Sequence, residues 1–350
     1  MTTIDPTRAT CPAPQAETER VLLGHGSGGQ LSTELLDDVI IAELGTAGPL
    51  EDAALVGIAD VDAVFSTDSF VVTPRFFPGG DIGSLAVHGT VNDLAMRGAR
   101  PVALALAYVL EEGFPLAELR TITASVAAAA RACGVPVATG DTKVVGAGAA
   151  DGVYVTTTGI GVRLRDAFPS AAGGVPGDVV LLSGHVGDHG TAILSAREGL
   201  GFEAEIRSDS RPLHDLVAAM IAAGARDVHA LRDPTRGGLA SALNELAAAS
   251  EVAVEITDAD IPIRPQVAAA CELLGLDPLH VANEGCLVAF VAPGSADAVL
   301  SAMRGTEAGQ AARAIGTVTG GPAGQVTART TVGARRVVDV LIGEQLPRIC

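Results

Sequence analysis

The sequence ends in a thiol: its last five residues, "LPRIC", run from Leu346 to Cys350. A terminal cysteine has no following segment to pin it in a core or to hold it as a buried metal ligand, so Cys350 needs a different account from an ordinary cysteine. A second group with chemical potential is a set of acids placed where acids are usually unwelcome. Asp68 lies inside the strand-like run "VFSTDSFVV", where Asp is depleted. Asp93 lies in "GTVNDLA" within an expected helix, Asp141 follows Gly140 at the end of an apolar strand in "TGDTK", and Asp52 opens the strand of "EDAAL". Any one of them reads as a capping or solvated carboxylate; four together point to a shared site. Hard oxygen ligands of this kind suit magnesium held partly by protein and partly by nucleotide phosphates. Lys143, two residues after Asp141, would then lie close to a transferring phosphoryl group.

Further motifs are consistent with an anion-handling site. "DPTRGG" (Asp233–Gly238) reads as a helix N-terminus, with Asp233 as the cap, Pro234 at the first helical position and Arg236 available to an anion. It reads equally as a well-capped helix with a surface arginine. "NEG" (Asn283–Gly285) precedes the apolar strand "CLVAFVA", where Glu284 is either a general base or part of a turn. "GHGSGG" (Gly24–Gly29) matches G-x-G-x-x-G but lacks the flanking strand and distant acid of a dinucleotide site. It is a loop that wraps phosphates or a plain turn. No G-x-x-x-x-G-K-[ST] occurs, which excludes a P-loop enzyme. His185 and His189 stand four apart in "GHVGDHG", but the glycines break a helix and no third ligand is evident. A loop or helix N-terminus is the better reading than a metal site.

These residues need a frame. The 350-residue length suggests two domains, and 48% apolar with only 3% aromatic residues suits a tightly packed α/β enzyme. Strand-like runs ("AALVGI", "AVFSTDSFVV", "PVALALAYVL", "VPVATGDTKVV", "GVYVTTTGIGV") alternate with helical patterns at Ile82–Arg97 and from Leu116. The Pro-, Gly- and Ser-rich stretch Asp166–Asp178 separates two such sets. We therefore expect an α/β (α+β) chain with a flexible tail over 1–20, domains over 21–168 and 177–335, and a mobile, exposed tail over 336–350. A net charge of -18 argues against nucleic acid. No apolar stretch is long enough to span a bilayer and no signal peptide is apparent, so a cytoplasmic protein is expected. Five cysteines without C-x-x-C spacing point to free thiols, with Cys133, Cys271 and Cys286 in the core.

Taken in order, "HGSGG", "STDSFVVTPRFFPGGDIGSLAVHGTVNDLA", "GDTKVV", "GDHGTAIL", "DPTRGGLASALNELA", "LGLDPLHVANEG" and "LPRIC" resemble the HypE family, the carbamoyl dehydratases of [NiFe]-hydrogenase maturation. The likeness runs from about Val21 to Cys350. The acid motifs are shared with a wider ATP-using superfamily that includes aminoimidazole ribonucleotide synthetase, selenophosphate synthetase and thiamine-monophosphate kinase; the terminal motif is specific to HypE. The resemblance implies a two-domain fold of that superfamily, dimerising through N-terminal sheets, and a carrier role for Cys350. A HypF-type carbamoyltransferase would load the thiol. ATP and Mg2+ would drive dehydration to a thiocyanate, and an iron scaffold of the HypC–HypD type would receive the cyanide. It implies metal and phosphate roles for Asp52, Asp68, Asp93 and Asp141, and catalytic roles for Lys143, Glu284 and Asp93. Phosphate or nucleotide contacts are implied for Gly26, Ser27, Gly28, Gly29, Asn92, Asp233, Thr235 and Arg236. Pro347 would stiffen the tail and Arg348 guide it into an acidic cleft. Two other readings suit the same residues: a small-molecule phosphotransferase with an unused tail, and a non-catalytic carrier that needs no ATP.

Overall fold

The computed structural model describes residues 21–26, 29–44, 50–199, 205–341, 346 and 348–350. A helical segment comes first: α1 (Gln30–Leu35) and α2 (Ala42–Leu44), joined by the wider turns of Leu36–Ile41. The first sheet is built from β1 (Ala54–Ile58), β2 (Val61–Phe70), β5 (Ala99–Glu111), β6 (Val137–Val145) and β7 (Val153–Arg163), in the order β1-β2-β7-β5-β6. A short hairpin, β3 (Phe76–Phe77) and β4 (Gly80–Asp81), leads into α3 (Ile82–Met96), and α4 (Leu116–Ala132) packs on α3. Asp81 starts α3 with a capping box: its carboxylate accepts from the N–H groups of Gly83 and Ser84, and the Ser84 hydroxyl accepts from the Asp81 N–H.

Side-chain alternation decides which face of this sheet each residue occupies. Along β2, Ser66, Asp68 and Phe70 face α3, whereas Phe65, Thr67 and Ser69 face the other way. Directly paired residues share a face, so Asp68 lies opposite Thr157 of β7, and Thr157 bonds to Thr90 of α3 at 2.6 Å. Ser69 lies opposite Thr156, Thr156 opposite Ala107, and Ala107 opposite Asp141. Asp141 and Lys143 therefore occupy the outer face of the edge strand β6, across the sheet from Asp68. That outer face exposes Phe65, Ile160 and Val162.

The second sheet, in the order β14-β13-β10-β12-β8-β11-β9, comprises β8 (Val179–Leu182), β9 (Val228–Arg232), β10 (Ala253–Thr257), β11 (Val288–Val291), β12 (Arg313–Thr319), β13 (Val326–Arg329) and β14 (Arg335–Val337). One face packs on α7 (Gly238–Ala249), the other on α6 (His214–Gly224) and α9 (Ala296–Arg304). Helices α5 (Asp188–Glu198) and α8 (Pro265–Leu274) lie towards the first sheet. Ile193, Val267 and Cys271 share a core there with Phe70 and Ile82. Cys133, Cys271 and Cys286 are buried, as expected for core thiols. No helix among the described residues is long and apolar enough to cross a membrane.

Three expectations fail. Helix α7 does not start at Asp233–Pro234: its cap is Gly237 (φ 79), and Gly238 also has a left-handed φ of 64. Two such residues cannot belong to a continuous right-handed helix, so Asp233–Arg236 is a turn ahead of it, closed by Gly238 N–H donating to Thr235 O. Strand β6 is not buried; Asp141 and Lys143 side chains are 63% and 68% exposed because nothing among the described residues covers the edge. The sequence left open whether the tail rests inside or outside the site; where exposure was expected of its end, Leu346 and Ile349 are instead buried in the core between the two sheets.

Candidate active site

The inner-face acids of the first sheet meet the turn ahead of α7. Asp93 of α3 accepts from the Ser66 hydroxyl of β2 at 2.6 Å. Asp68 accepts from the Ser69 N–H at 2.8 Å. Asp52, just before β1, forms an ion pair with Arg232 at 3.1 Å, and Arg232 also pairs with Glu245. Burial pushes the Asp52, Asp93 and Glu284 carboxyls well above the usual range. The neighbouring carboxylates add to the rise: Asp233, Asp68 and Asp52 around Asp93, and Asp233, Asp68 and Asp209 around Glu284. Burial likewise raises Asp233 to about 6 against the attraction of Arg232. Charges so arranged are costly unless a cation joins them.

Arg236 is a cation within this group. Its charge is felt by Cys350, Asp68, Glu284 and Asp93, and its guanidinium donates to Gly26 O at 3.2 Å, tying the glycine loop to the site. Gly29 (φ 86) is fixed beside the chain ahead of the C-terminus: a Cβ there would lie 2.5 Å from Leu341 O. The loop, α1 and α7 enclose a cavity of about 510 Å3. Its lining combines apolar residues (Leu35, Leu36, Leu50, Ala242) with polar and charged ones (Asp52, Asp233, Thr235, Arg236). Size and lining suit a nucleotide, with an aromatic base at one end and charged groups at the other.

Glu284 sits on a turn that other buried groups hold. Asp209 accepts from the N–H groups of Glu284 (3.0 Å) and Gly285 (3.1 Å) and from the Asn283 amide. Asn92 was expected to contact nucleotide, but its amide is committed elsewhere. It donates to Arg211 O and Glu284 O and accepts from Leu213 N–H, so it braces the Glu284 turn.

The thiol of Cys350 comes to this same place. It is half-buried against the core shared by the two sheets, and its electrostatic neighbours are Arg236, Glu284 and Asp68. Burial pushes the thiol up to about 12. The chain thus brings together Cys350, Glu284, Asp93, Asp52, Asp68, Asp233, Thr235, Arg236, Gly26 and Gly29. Asp141 and Lys143 stay apart on the outer sheet face, paired with each other; that pairing holds the Asp141 carboxyl below its usual range. Ser27, Gly28, Pro347, Cys11 and the expected tail over 1–20 fall outside the described residues. Among the described residues, no three His, Cys, Asp or Glu side chains form a ready metal site. Asp52, Asp68, Asp93 and Asp233 nonetheless supply hard carboxylate oxygens, the donor type that magnesium prefers.

Sequence reasoning weighed His189 only as a metal ligand or part of a helix N-terminus, and did not single out Arg197. His189 is fully buried, meeting Ser208 through Nδ1 (2.7 Å) and donating from Nε2 to Ile349 O (2.6 Å). Arg197 donates to Thr73 O and Arg348 O. The signal for His189 was the "GDHG" stretch opening α5; Arg197, in the last turn of that helix, had none.

Residues 50–163 match the AIR synthase related protein N-terminal domain, and residues 175–329 the C-terminal domain. The carbamoyl dehydratase HypE of Cupriavidus necator is 54% identical over 334 residues, covering 95% of each chain. The crystal structure of a HypE–HypF complex matches with a TM-score of 0.84 at 43% identity, covering 88% of this chain and 99% of the other. That of the hydrogenase maturation protein HypE in complex with ATP matches with a TM-score of 0.80 at 45% identity, covering 95% and 100%. With that identity along nearly its whole length, and both domains of the AIR-synthase-related fold in place, the chain belongs to the HypE carbamoyl dehydratase family.

Proposed function

We propose that this protein is an ATP-dependent carbamoyl dehydratase acting on its own Cys350, converting S-carbamoyl to S-cyano and so supplying cyanide for hydrogenase maturation. The observation that carries this reading is the seat of Cys350 among Arg236, Glu284 and Asp68, beside a cavity of nucleotide size. A carbamoyl oxygen is a poor leaving group. Transfer of a phosphoryl group onto it lets it depart as phosphate, while the two N–H protons leave to bases and the C≡N bond forms. Attachment of the carbamoyl to the chain makes the step effectively unimolecular, a gain of several kcal/mol.

Each group has work in that scheme. Gly26, Ser27, Gly28, Gly29, Thr235 and Arg236 hold the phosphates; Arg236 also faces the carbamoyl oxygen as it gains charge. Glu284, a stronger base than an ordinary carboxylate because of its burial and acidic neighbours, accepts an N–H proton. Asp52, Asp68, Asp93 and Asp233 are the residues that would hold Mg2+, which would supply neutralisation of phosphate charge.

Asp141 and Lys143 belong to a second copy's site in this reading. The outer face of the first sheet is apolar and open in the single chain, with Phe65, Ile160 and Val162 exposed beside the Thr67–Thr158 and Ser69–Thr156 hydroxyl pairs. A homodimer built on that face covers it and brings the Asp141–Lys143 pair of one chain towards the site of the other. A HypF-type carbamoyltransferase loads Cys350, in line with the solved HypE–HypF complex, and a HypC–HypD-type scaffold takes the cyanide.

The test is intact mass spectrometry after loading by the carbamoyltransferase and carbamoyl phosphate, with and without Mg-ATP. Loss of one water from the Cys350 adduct only with Mg-ATP supports the reading. A carbamoyl group that persists with Mg-ATP makes the protein a carrier.

A further inference from the structure

The last residues do more than reach the site; their backbone is read by it. The Val71 N–H donates to Cys350 O at 3.0 Å and the Thr73 N–H to Arg348 O at 3.1 Å, while Arg348 Nε returns a bond to Val71 O at 2.9 Å. Val71–Thr73 directly continues β2, the strand that carries Asp68, so these bonds set the register of Cys350 against Asp68. Three side chains complete the hold. His189 donates to Ile349 O, Arg197 bridges Arg348 O and Thr73 O, and Asp151 pairs with the Arg348 guanidinium. Burial holds His189 neutral, and Ser208 on Nδ1 leaves its Nε2–H for the Ile349 carbonyl.

Resting on the carrier role above, we propose that His189, Arg197 and Asp151 form a latch. It positions the loaded tail for dehydration and sets how often Cys350 is released to its partners. The hydrogen bonds of His189 and Arg197 go to main-chain carbonyls, so they are indifferent to what the sulfur carries; thiol, thiocarbamate and thiocyanate all meet the same latch. The seat itself is apolar and acidic, and there the free thiol is pushed up to about 12. These three are positioning residues and none of them needs to touch the reacting atoms.

The experiment compares full-length wild type, Asp151→Asn, His189→Gln and the double variant by two measurements. The first is the rate at which iodoacetamide alkylates Cys350, read by peptide mass spectrometry with buried Cys133, Cys271 and Cys286 as folding controls. The second is the single-turnover loss of water from preloaded protein on addition of Mg-ATP. Removal of one charge-assisted or buried hydrogen bond shifts the open fraction about three- to tenfold. Cys350 alkylation rises by that factor in each single variant and multiplies in the double variant, in which water loss slows. The proposal is overturned if Cys350 alkylation stays at the wild-type rate, if the control cysteines of Asp151→Asn react in step with Cys350, or if the double variant dehydrates as fast as wild type. Asp151 is half-exposed, so its variant reports even where His189→Gln fails to fold. Wild type that never loses water would instead overturn the dehydratase reading, and the alkylation rates would still decide the latch.

Discussion

Asp233→Asn separates the cost of the acidic site from its use. Burial, with Asp68 and Glu245 nearby, raises Asp233 from 3.8 to about 6 even though Arg232 attracts its charge. The rise corresponds to about 3 kcal/mol of disfavoured ionisation in the folded protein. A carboxyl raised on folding binds more protons folded than unfolded between these two values, so stability is lost as pH climbs through that window. About half of the loss is in place by pH 5 and nearly all of it above pH 7. Asparagine has nearly the same shape and no charge to desolvate. The nucleotide-free variant is therefore expected to be more stable than wild type at pH 8 by up to about 3 kcal/mol. At about 2–4 °C per kcal/mol this is several degrees in Tm, shrinking towards pH 4. The same variant loses the stabilisation that wild type gains from Mg-ATP, along with most of its dehydratase activity. Scanning calorimetry at pH 4.5 and pH 8, with and without Mg-ATP, reads all of this. A variant no more stable than wild type at pH 8, or equally stabilised at both pH values, would refute the electrostatic account.

Two further expectations follow from geometry. If Asp141 and Lys143 serve the partner's site, Lys143→Met and Cys350→Ala are each inactive as homodimers. Mixed dimers then recover activity in the sites that pair an intact thiol with an intact lysine; mixing by unfolding and refolding, followed by mass analysis of the thiocyanate, counts them, and no recovery places Lys143 with its own chain's site. Gly238→Ala puts a Cβ at a left-handed φ of 64 and 2.5 Å from Leu279 O. It should destabilise by at least about 1–2 kcal/mol and lower Tm by several degrees, and an unchanged Tm would show that the turn ahead of α7 is free to relax.

Much of the site was legible in the residues, and what was not has definite physical causes. Asp68 and Asp93 stood out because apolar strand and helix patterns tolerate a carboxylate poorly, and the structure puts Asp68 on the inner face of the first sheet and Asp93 on the helix that covers it. The start of α7 was misplaced because Asp-Pro is a strong N-terminal signal, while the Gly237–Gly238 pair that overrides it reads as mere permissiveness. Asp141 was placed in a buried strand because its neighbours are apolar. Which strand lies at an edge depends on long-range pairing, and local composition does not encode it. The C-terminus was expected to be exposed because its helical periodicity fails. Yet Leu346 and Ile349 are apolar residues in a short segment, and each saves about 1.5–3 kcal/mol by leaving water.

The misplaced edge and the misread tail share a cause. In both, burial is decided by packing partners far away in the sequence. Leu346 and Ile349 fill a gap between the two sheets that neither domain fills alone, so a tail that carries a reactive group also contributes to the core it must leave. Release of Cys350 must therefore break apolar contacts as well as the bonds to His189 and Arg197. This ties the availability of the thiol to how tightly the two domains close on one another.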